Sequence, residues 1–223
     1  MALDGITIRA LTRELQNVLI GGRISKIIQP EADELLLTIK TADKNERLLI
    51  SAGASLPFVY LTDENKQAPM TAPNFCMLLR KHISGGRVVD ITQPGLERII
   101  EFEIEHLDEM GDLCRKILTV ELMGKHSTII FRKTDGTIID SIKHVSAAVS
   151  SVREVLPGRE YFIPKAEGKI NLHNYILGNP ASGGGSGEVG ASLCKSIPLE
   201  KALYTTFTGF SPVLAESLCE LAG

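Results

Sequence analysis

Five polar residues in the middle of the chain have types and spacings that suit contact with a phosphate. Glu97 and Arg98 are adjacent, and Lys125, His126 and Ser127 follow one another further along. A guanidinium can bind a phosphate through two parallel hydrogen bonds or stack on a base, and a neighbouring carboxylate can hold it in one orientation. The lysine offers a point charge and the serine a hydroxyl group for a phosphate backbone. These residues predict a polar binding site, although a solvated salt bridge at a turn followed by an ordinary strand would show the same pattern.

Arg80 is a further candidate contact for a nucleic acid, and it belongs to the basic run Arg80-Lys81-His82. The run lies near the end of a predicted helix, where cations complement the helix dipole. A purely structural role therefore explains the same residues, and both interpretations stay open at this point.

Two similar segments are predicted to position these side chains. Each follows an amphipathic helix that ends at a glycine pair, Gly21-Gly22 in one case and Gly85-Gly86 in the other. The segments 21–39 and 85–103 share Gly, Gly, Arg, Ile, Gln and Pro in register, at an offset of 64 residues (85 minus 21). We therefore predict an α+β fold in which two related helix–β-hairpin units form a β-rich core.

The repeat distinguishes residues that the fold requires from residues that only one unit carries. At the offset of 64, Arg98 falls opposite Glu34 and Glu97 falls opposite Asp33. Further on, the run Gly124 to Ser127 falls opposite Gly53 to Leu56, which has no charged group. Since the unit does not require these basic residues, we interpret them as available for function.

The remainder of the chain predicts its domain organisation. Residues 1–177 are expected to form one N-terminal domain, and the Gly- and Ser-rich stretch 178–194 a flexible linker. Residues 195–223 contain two helical patterns with prolines in their first turns, the beginning of a helix–hairpin–helix region. This last part is too small to fold alone, so the chain is expected to be a fragment of a longer protein.

Composition and missing motifs exclude several classes of protein. Of 223 residues, 43% are apolar and 23% charged, which is ordinary for a soluble globular protein, and the net charge of −3 excludes a uniformly basic coat but not a local basic patch. The sequence shows no apolar run of roughly 18 residues, no signal peptide and no CxxC pair. It also lacks a P-loop, GxSxG and HExxH. We expect a cytoplasmic protein without a membrane partner, catalytic site, cofactor or metal, and therefore not an enzyme.

Several motifs together resemble the N-terminal domain of the NFACT family. They are PNFCMLLRKHISGGRVVDITQPGLERIIEFEIE, ELMGKHSTIIF and GREYFIP, in this order. The family is also catalogued as fibronectin-binding protein A, and it includes RqcH-like ribosome quality control factors. The start MALDG and the final segment SIPLEKALYTTFTGFSPVLAESLCELAG match it too, the latter as the beginning of its helix–hairpin–helix region.

The resemblance implies a tRNA-binding module. Family members bind the large ribosomal subunit that still carries peptidyl-tRNA, recruit alanyl-tRNA and promote template-free C-terminal alanine tailing. An Asp-Arg pair important for tRNA binding in the family falls on Glu97 and Arg98, with glutamate in place of aspartate. The expected tRNA contacts are Glu97, Arg98, Lys125, His126, Ser127 and Arg80.

Two alternative functions remain. One is a fibronectin-binding surface adhesin, as the older family name suggests, although no signal peptide is seen. The other is a DNA glycosylase-like enzyme, because the family fold is similar to the N-terminal and helical parts of formamidopyrimidine-DNA glycosylases. Those enzymes use an N-terminal proline as nucleophile, whereas this chain begins Met1-Ala2, so glycosylase chemistry is not expected.

Overall fold

The computed structural model of the protein describes residues 3–148, 150, 152–164, 169–170 and 197–222. The predicted linker 178–194 lies outside these residues, and the predicted domain boundaries stay predictions. The helices and strands are α1 (Gly5–Leu19), β1 (Arg23–Ile28), β2 (Glu34–Lys40), β3 (Asn45–Ser51), β4 (Phe58–Leu61), α2 (Asn74–Ile83), β5 (Arg87–Thr92), β6 (Ile99–Leu107), β7 (Leu113–Glu121), β8 (Thr128–Lys133), β9 (Ile138–Ser141), α3 (Leu199–Thr206) and α4 (Pro212–Ala222).

Nine strands form one antiparallel sheet in the order β4-β3-β2-β1-β5-β6-β7-β8-β9. The first four strands follow α1 and the next four follow α2, so the same order of elements occurs twice. The α+β class predicted from the sequence is confirmed. No helix in the described part of the chain is long and apolar enough to cross a membrane.

The two units meet between β1 and β5 through matching hydrogen bonds. The Gly21 amide donates to the Val88 carbonyl at 2.8 Å, and the Gly85 amide donates to the Ile24 carbonyl at 2.8 Å. Gly21 and Gly85 have φ of 86° and 77°, in the left-handed region that favours glycine. The glycine pairs therefore end the helices and also allow the two units to join.

Each helix packs against the first strand of the other unit. Gln16 of α1 donates through Nε2 to the Ile91 carbonyl of β5 at 2.5 Å. Arg80 of α2 donates through Nε to the Ile27 carbonyl of β1 at 2.8 Å. The apolar faces of both helices are buried in one shared core. Its buried members include Ile8, Leu15, Leu37, Leu79, Ile83, Phe102, Leu118 and Phe131.

The strand pairing corrects the alignment of the two units after their first hairpins. Ile39 pairs with Ile24 and Ile104 pairs with Val88, so equivalent residues there lie 65 positions apart (104 minus 39). The cause is loop length, because residues 29–33 connect β1 to β2, whereas the longer loop 93–98 connects β5 to β6.

The counterpart of Arg98 is therefore Asp33 and not Glu34. The Asp33 carbonyl accepts from the Ala52 amide at 2.8 Å, and the Arg98 carbonyl accepts from the Leu122 amide at 2.8 Å. By the same ladders Ser51 pairs with Phe58 and Glu121 with Thr128, which places Lys125 opposite Ser55 rather than Ala54. The interpretation that the second unit has gained basic residues is unchanged.

The C-terminal helices α3 and α4 contact each other and dock on the start of the chain. The Gly5 amide donates to the Gly209 carbonyl at 3.0 Å, and the Ser211 hydroxyl donates to Asp4 Oδ2 at 2.9 Å. A Cβ atom on Gly5 would lie 2.0 Å from the Leu96 carbonyl oxygen. A glycine is thus required where α1, the β5–β6 loop and the loop before α4 meet.

Candidate nucleic-acid interface

Arg98 lies at the end of the β5–β6 loop, directly before β6. Its carbonyl is fixed by the Leu122 amide, and its side chain is half-buried. Within the described residues, this guanidinium has no carboxylate within 4.0 Å and donates no hydrogen bond. A positioned cation without an acceptor of its own is suited to bind an anion from solution.

The Arg98 side chain lines two clefts. The first has a volume of about 360 Å³ and lies between the start of α1, the β5–β6 loop and the start of α4. Its polar wall includes Asp4, Glu97, Lys169 and Ser211. The second cleft has a volume of about 190 Å³ and is lined by Leu3, Ser55, Pro57, Arg98, Leu122, Met123 and Gly124.

Glu97 is half-buried beside Arg98 without forming a direct ion pair with it among the described residues. Burial raises the pKa of its carboxyl, and the charges of Arg98 and Lys169 oppose that shift. The predicted direct contact between the Glu97 carboxylate and the Arg98 guanidinium is therefore not formed among the described residues. The two side chains interact only through their charges at a longer distance. The main chain at Glu97 is fixed instead by Gln93, whose Nε2 donates to the Glu97 carbonyl at 2.7 Å and to the Gly5 carbonyl at 2.8 Å.

Lys125 and His126 are exposed on the 3₁₀ turn Gly124–His126, which continues from the wall of the second cleft. Neither side chain forms a hydrogen bond or an ion pair within the described part of the chain. Their positions suit the predicted contacts with a phosphate backbone.

Ser127 has a different position from the one expected of a surface contact. Its side chain is buried, and its hydroxyl oxygen accepts a hydrogen bond from the Met123 amide at 2.8 Å. This bond holds the turn that presents Lys125 and His126. Ser127 is therefore a positioning residue of the turn rather than a direct contact for a ligand.

Arg80 is not brought together with Arg98. It is half-buried, bonds to the Ile27 carbonyl of β1 and lines neither of the two clefts. The Nε group of Arg80 thus joins α2 to β1, and its contact with tRNA stays a prediction.

Some residues of the site carry no signal in the sequence. Asp4, Lys169 and Ser211 all line the first cleft although they are distant in the sequence, and Asp4 and Ser211 are 207 positions apart. Among the described residues, no group of three or more His, Cys, Asp or Glu side chains is placed to hold a metal ion.

Comparisons with known proteins agree with this architecture. The family described as NFACT N-terminal and middle domains matches residues 4–223. The Rqc2 homolog RqcH of Bacillus subtilis is 38% identical over all of this chain, which spans 38% of that relative. The ribosome quality control complex subunit NEMF of Homo sapiens is 28% identical over 44% of this chain and is covered over 9% of its length.

A solved structure covers nearly the whole chain. The N-terminal domain of the fibronectin-binding protein PavA from Streptococcus pneumoniae superposes with a TM-score of 0.85 at 30% identity, covering 99% of this chain and 80% of that one. This likeness and the family match over residues 4–223 both extend over the nine-stranded sheet and the C-terminal helices of this chain. The chain therefore belongs to the NFACT family, whose model matches residues 4–223.

Proposed function

We propose that this chain is the tRNA- and large-ribosomal-subunit-binding module of a ribosome-associated quality control factor. In the complete protein it would recruit alanyl-tRNA for template-free C-terminal alanine tailing of stalled nascent chains, from a cytoplasmic location. The likeness to RqcH over the whole chain and the name of the NEMF relative support this assignment. The C-terminal helices α3 and α4 would be the helix–hairpin–helix part of this module.

The observation that carries the proposal is the state of Arg98. Its guanidinium lies between two clefts and lacks an anionic partner among the described residues, while its counterpart Asp33 has Lys143 Nζ at 3.8 Å. In the first unit the Asp33 carboxylate thus has a lysine nearby within the protein. In the second unit the Arg98 guanidinium lines accessible clefts without such a partner among the described residues. A phosphate of tRNA supplies the missing partner.

The geometry also explains how a chain with a net charge of −3 can bind RNA. Lys125 and His126 are exposed beside the second cleft, and Lys169 lies on the first. Binding therefore depends on a local basic surface around Arg98 rather than on general attraction to RNA. Such phosphate contacts release counterions, so affinity falls as salt rises.

Direct titration with tRNA tests the proposal. Arg98→Ala is expected to lower affinity about tenfold, the cost of a charge-assisted contact, and Arg98→Lys is expected to lose less because the charge is retained. Lys44→Ala is the matched control, since it removes one exposed cation that is paired with Glu46 at 3.3 Å. Equal affinity of the folded wild type and Arg98→Ala would overturn the assignment of the site. Equal losses of affinity for Arg98→Ala and Lys44→Ala would show that only the net charge of the chain matters, which would also overturn it.

Fibronectin binding is a second candidate function, favoured by the likeness to the PavA domain. The discriminating experiment measures binding of the same chain to immobilised fibronectin with and without excess tRNA. Saturable binding that tRNA does not displace and that Arg98→Ala leaves intact would establish a separate fibronectin site. Absence of binding at concentrations that saturate tRNA would exclude this candidate.

A further inference from the structure

Two arginines lie directly opposite each other where the two units join. Arg23 begins β1 and Arg87 begins β5, and the two are paired across the strands. Both side chains are exposed, and neither has a carboxylate within 4.0 Å among the described residues. Like charges directly opposite one another destabilise a sheet. Arg23 Nη1 donates to the Gly85 carbonyl at 3.3 Å, and Arg87 is paired across the strands with Glu105, so these two arginines also have contacts within the junction.

A lysine near this pair is held by two imidazole rings. Lys116 Nζ lies 3.3 Å from His82 Nδ1 and 3.1 Å from His106 Nε2. His106 Nδ1 also lies 3.0 Å from the Leu107 carbonyl, and His106 Nε2 lies 3.1 Å from Cys114 Sγ. Burial, followed by the charges of Lys116 and Lys81, lowers the pKa of His82, which favours the neutral ring beside the lysine. The ammonium group is thereby positioned between the two rings on the wall of a cleft.

These cations border two adjoining clefts beside the junction of β1 and β5, where Gly85 and Gly86 line one of the clefts. One has a volume of about 580 Å³ and includes Lys116 on its wall. The other, of about 420 Å³, includes Arg23 and Arg87. The clefts share the wall formed by Lys81, His82, His106 and Leu107.

The acidic residues of these walls have partners of their own. Glu109 binds Lys81 at 2.8 Å, and Glu105 lies 3.4 Å from Arg115. Asp108 Oδ1 accepts hydrogen bonds at 2.9 Å from two main-chain amides of its own hairpin. Three cations, Arg23, Arg87 and Lys116, are therefore left without a carboxylate within 4.0 Å in the described part of the chain.

We infer that Arg23, Arg87 and Lys116 form a second phosphate-binding surface for structured RNA. None of the three lines the clefts of Arg98, so this surface is a separate contact. Guanidinium groups bind phosphates through paired hydrogen bonds, and the two arginines begin neighbouring paired strands, so both can contact one RNA backbone. The inference deepens the proposed function and rests on it.

The salt dependence of tRNA binding tests this surface. The double variant Arg23→Ala/Arg87→Ala is expected to lower affinity about tenfold near 0.1 M KCl, and to reduce the slope of log affinity against log salt by about 1.4 to 1.8, the change for two lost phosphate contacts. Lys116→Gln is expected to reduce the slope by about 0.7 to 0.9. The control Lys44→Ala/Arg159→Ala also removes two cations, each of which is paired with a glutamate, and is expected to leave the slope unchanged.

Folding and partner class are checked in the same variants. Loss of the repulsion between the arginines opposes loss of the hydrogen bond from Arg23 to the Gly85 carbonyl, so Arg23→Ala/Arg87→Ala is expected to unfold close to the wild-type temperature. Arg23→Lys/Arg87→Lys is expected to retain the salt slope. Addition of Arg98→Ala to the double alanine variant is expected to multiply the two losses, as for independent sites. Clear unfolding of the alanine variant at a lower temperature would show that the pair is structural and would overturn the inference.

The outcomes separate this inference from the proposed function. If Arg98→Ala weakens binding while the arginine and lysine variants behave as the control does, the second surface is wrong and the proposed function stands. If the wild type binds no tRNA, both are overturned. If polyglutamate competes as well as tRNA at equal charge, the surface binds acidic chains in general and the assignment to RNA is overturned.

Discussion

Gln16 and Arg80 occupy the same position in the two units, and each donates a side-chain hydrogen bond to the main chain of the other unit. The acceptors, the Ile91 and Ile27 carbonyls, are themselves equivalent positions of β5 and β1. A neutral amide and a guanidinium thus serve the same purpose at matched sites. Position 80 of α2 therefore carries a long hydrogen-bond donor, as position 16 of α1 does.

The first prediction follows from this match. Arg80→Gln is expected to retain the stability of the fold, whereas Arg80→Ala removes a donor from a main-chain carbonyl and costs about 1 kcal/mol of unfolding free energy. Urea unfolding of the three proteins measures both effects. The tRNA affinity of Arg80→Gln is expected to change no more than that of the control Lys44→Ala. A loss of affinity as large as that expected for Arg98→Ala would show that Arg80 contacts tRNA.

A buried charged cluster provides the second prediction. Glu121 is fully buried at the end of β7, where Arg153 forms an ion pair with it and the Tyr161 hydroxyl donates to it at 2.9 Å. Burial and the neighbouring carboxylate raise the pKa of Tyr161, so its hydroxyl stays a donor over the physiological range. This cluster attaches residues 153–161 to the sheet.

Removal of one partner of such a buried pair leaves the other charge uncompensated. Glu121→Ala is therefore expected to lower the unfolding free energy by about 3 to 5 kcal/mol, and Tyr161→Phe by about 1 kcal/mol. Glu154→Ala is the control, since it breaks the more exposed ion pair with Arg159 at 2.9 Å and should cost less than about 1 kcal/mol. Equal losses of unfolding free energy for Glu121→Ala and Glu154→Ala in urea would show that the buried cluster stabilises the fold no more than an exposed ion pair does.

Glu97 provides a prediction about pH. Its carboxyl has a raised pKa in the folded protein, relative to an ordinary value of 4.5, chiefly because of burial. The fold thus favours the protonated form, so the associated stability is present below the ordinary pKa and is lost as pH rises through the raised one. Glu97→Gln is expected to remove this loss and to be more stable than the wild type at pH 7.

Unfolding free energies of the wild type and Glu97→Gln between pH 4 and pH 7 measure this effect. The difference between the two proteins should widen as pH rises, with the amide variant gaining. A constant difference across this range would mean that the carboxyl titrates alike in the folded and unfolded chains.

The sequence predicted the elements of the fold because their signals are local. Apolar spacing and the glycine pairs Gly21-Gly22 and Gly85-Gly86 depend on residues only a few positions apart, and α1 and α2 end where these pairs indicate. The repeat was visible for the same reason. An ungapped comparison, however, cannot show that the loop 93–98 is one residue longer than 29–33, and only the strand ladder revealed that Arg98 corresponds to Asp33.

The candidate site was only partly predictable, since contacts between distant residues complete it. Arg98 and Lys125 stood out by type, but nothing in the spacing places Ser211 against Asp4. Burial also decides function in ways that residue types do not, because Ser127 and Arg80 have the right chemistry for a phosphate and use it within the protein.

Gly5 provides the last prediction, in which helix propensity and packing oppose each other. In an open helix a Gly→Ala change stabilises by roughly 1 kcal/mol. Here the added Cβ would lie 2.0 Å from the Leu96 carbonyl oxygen and 2.6 Å from Gly209 Cα, both of them main chain that cannot move aside cheaply. Gly5→Ala is therefore expected to destabilise the protein by about 1 to 3 kcal/mol.

Gly5→Ala is also expected to weaken tRNA binding, because Gly5, Leu96 and Gly209 form one wall of the first Arg98 cleft. Gly158→Ala is the comparison, since Gly158 has φ of 80° with no atom near its Cβ position. It should cost about 1 kcal/mol through backbone strain and leave tRNA affinity unchanged. A stabilised Gly5→Ala protein would show that α1 and the loop before α4 do not meet as closely as described.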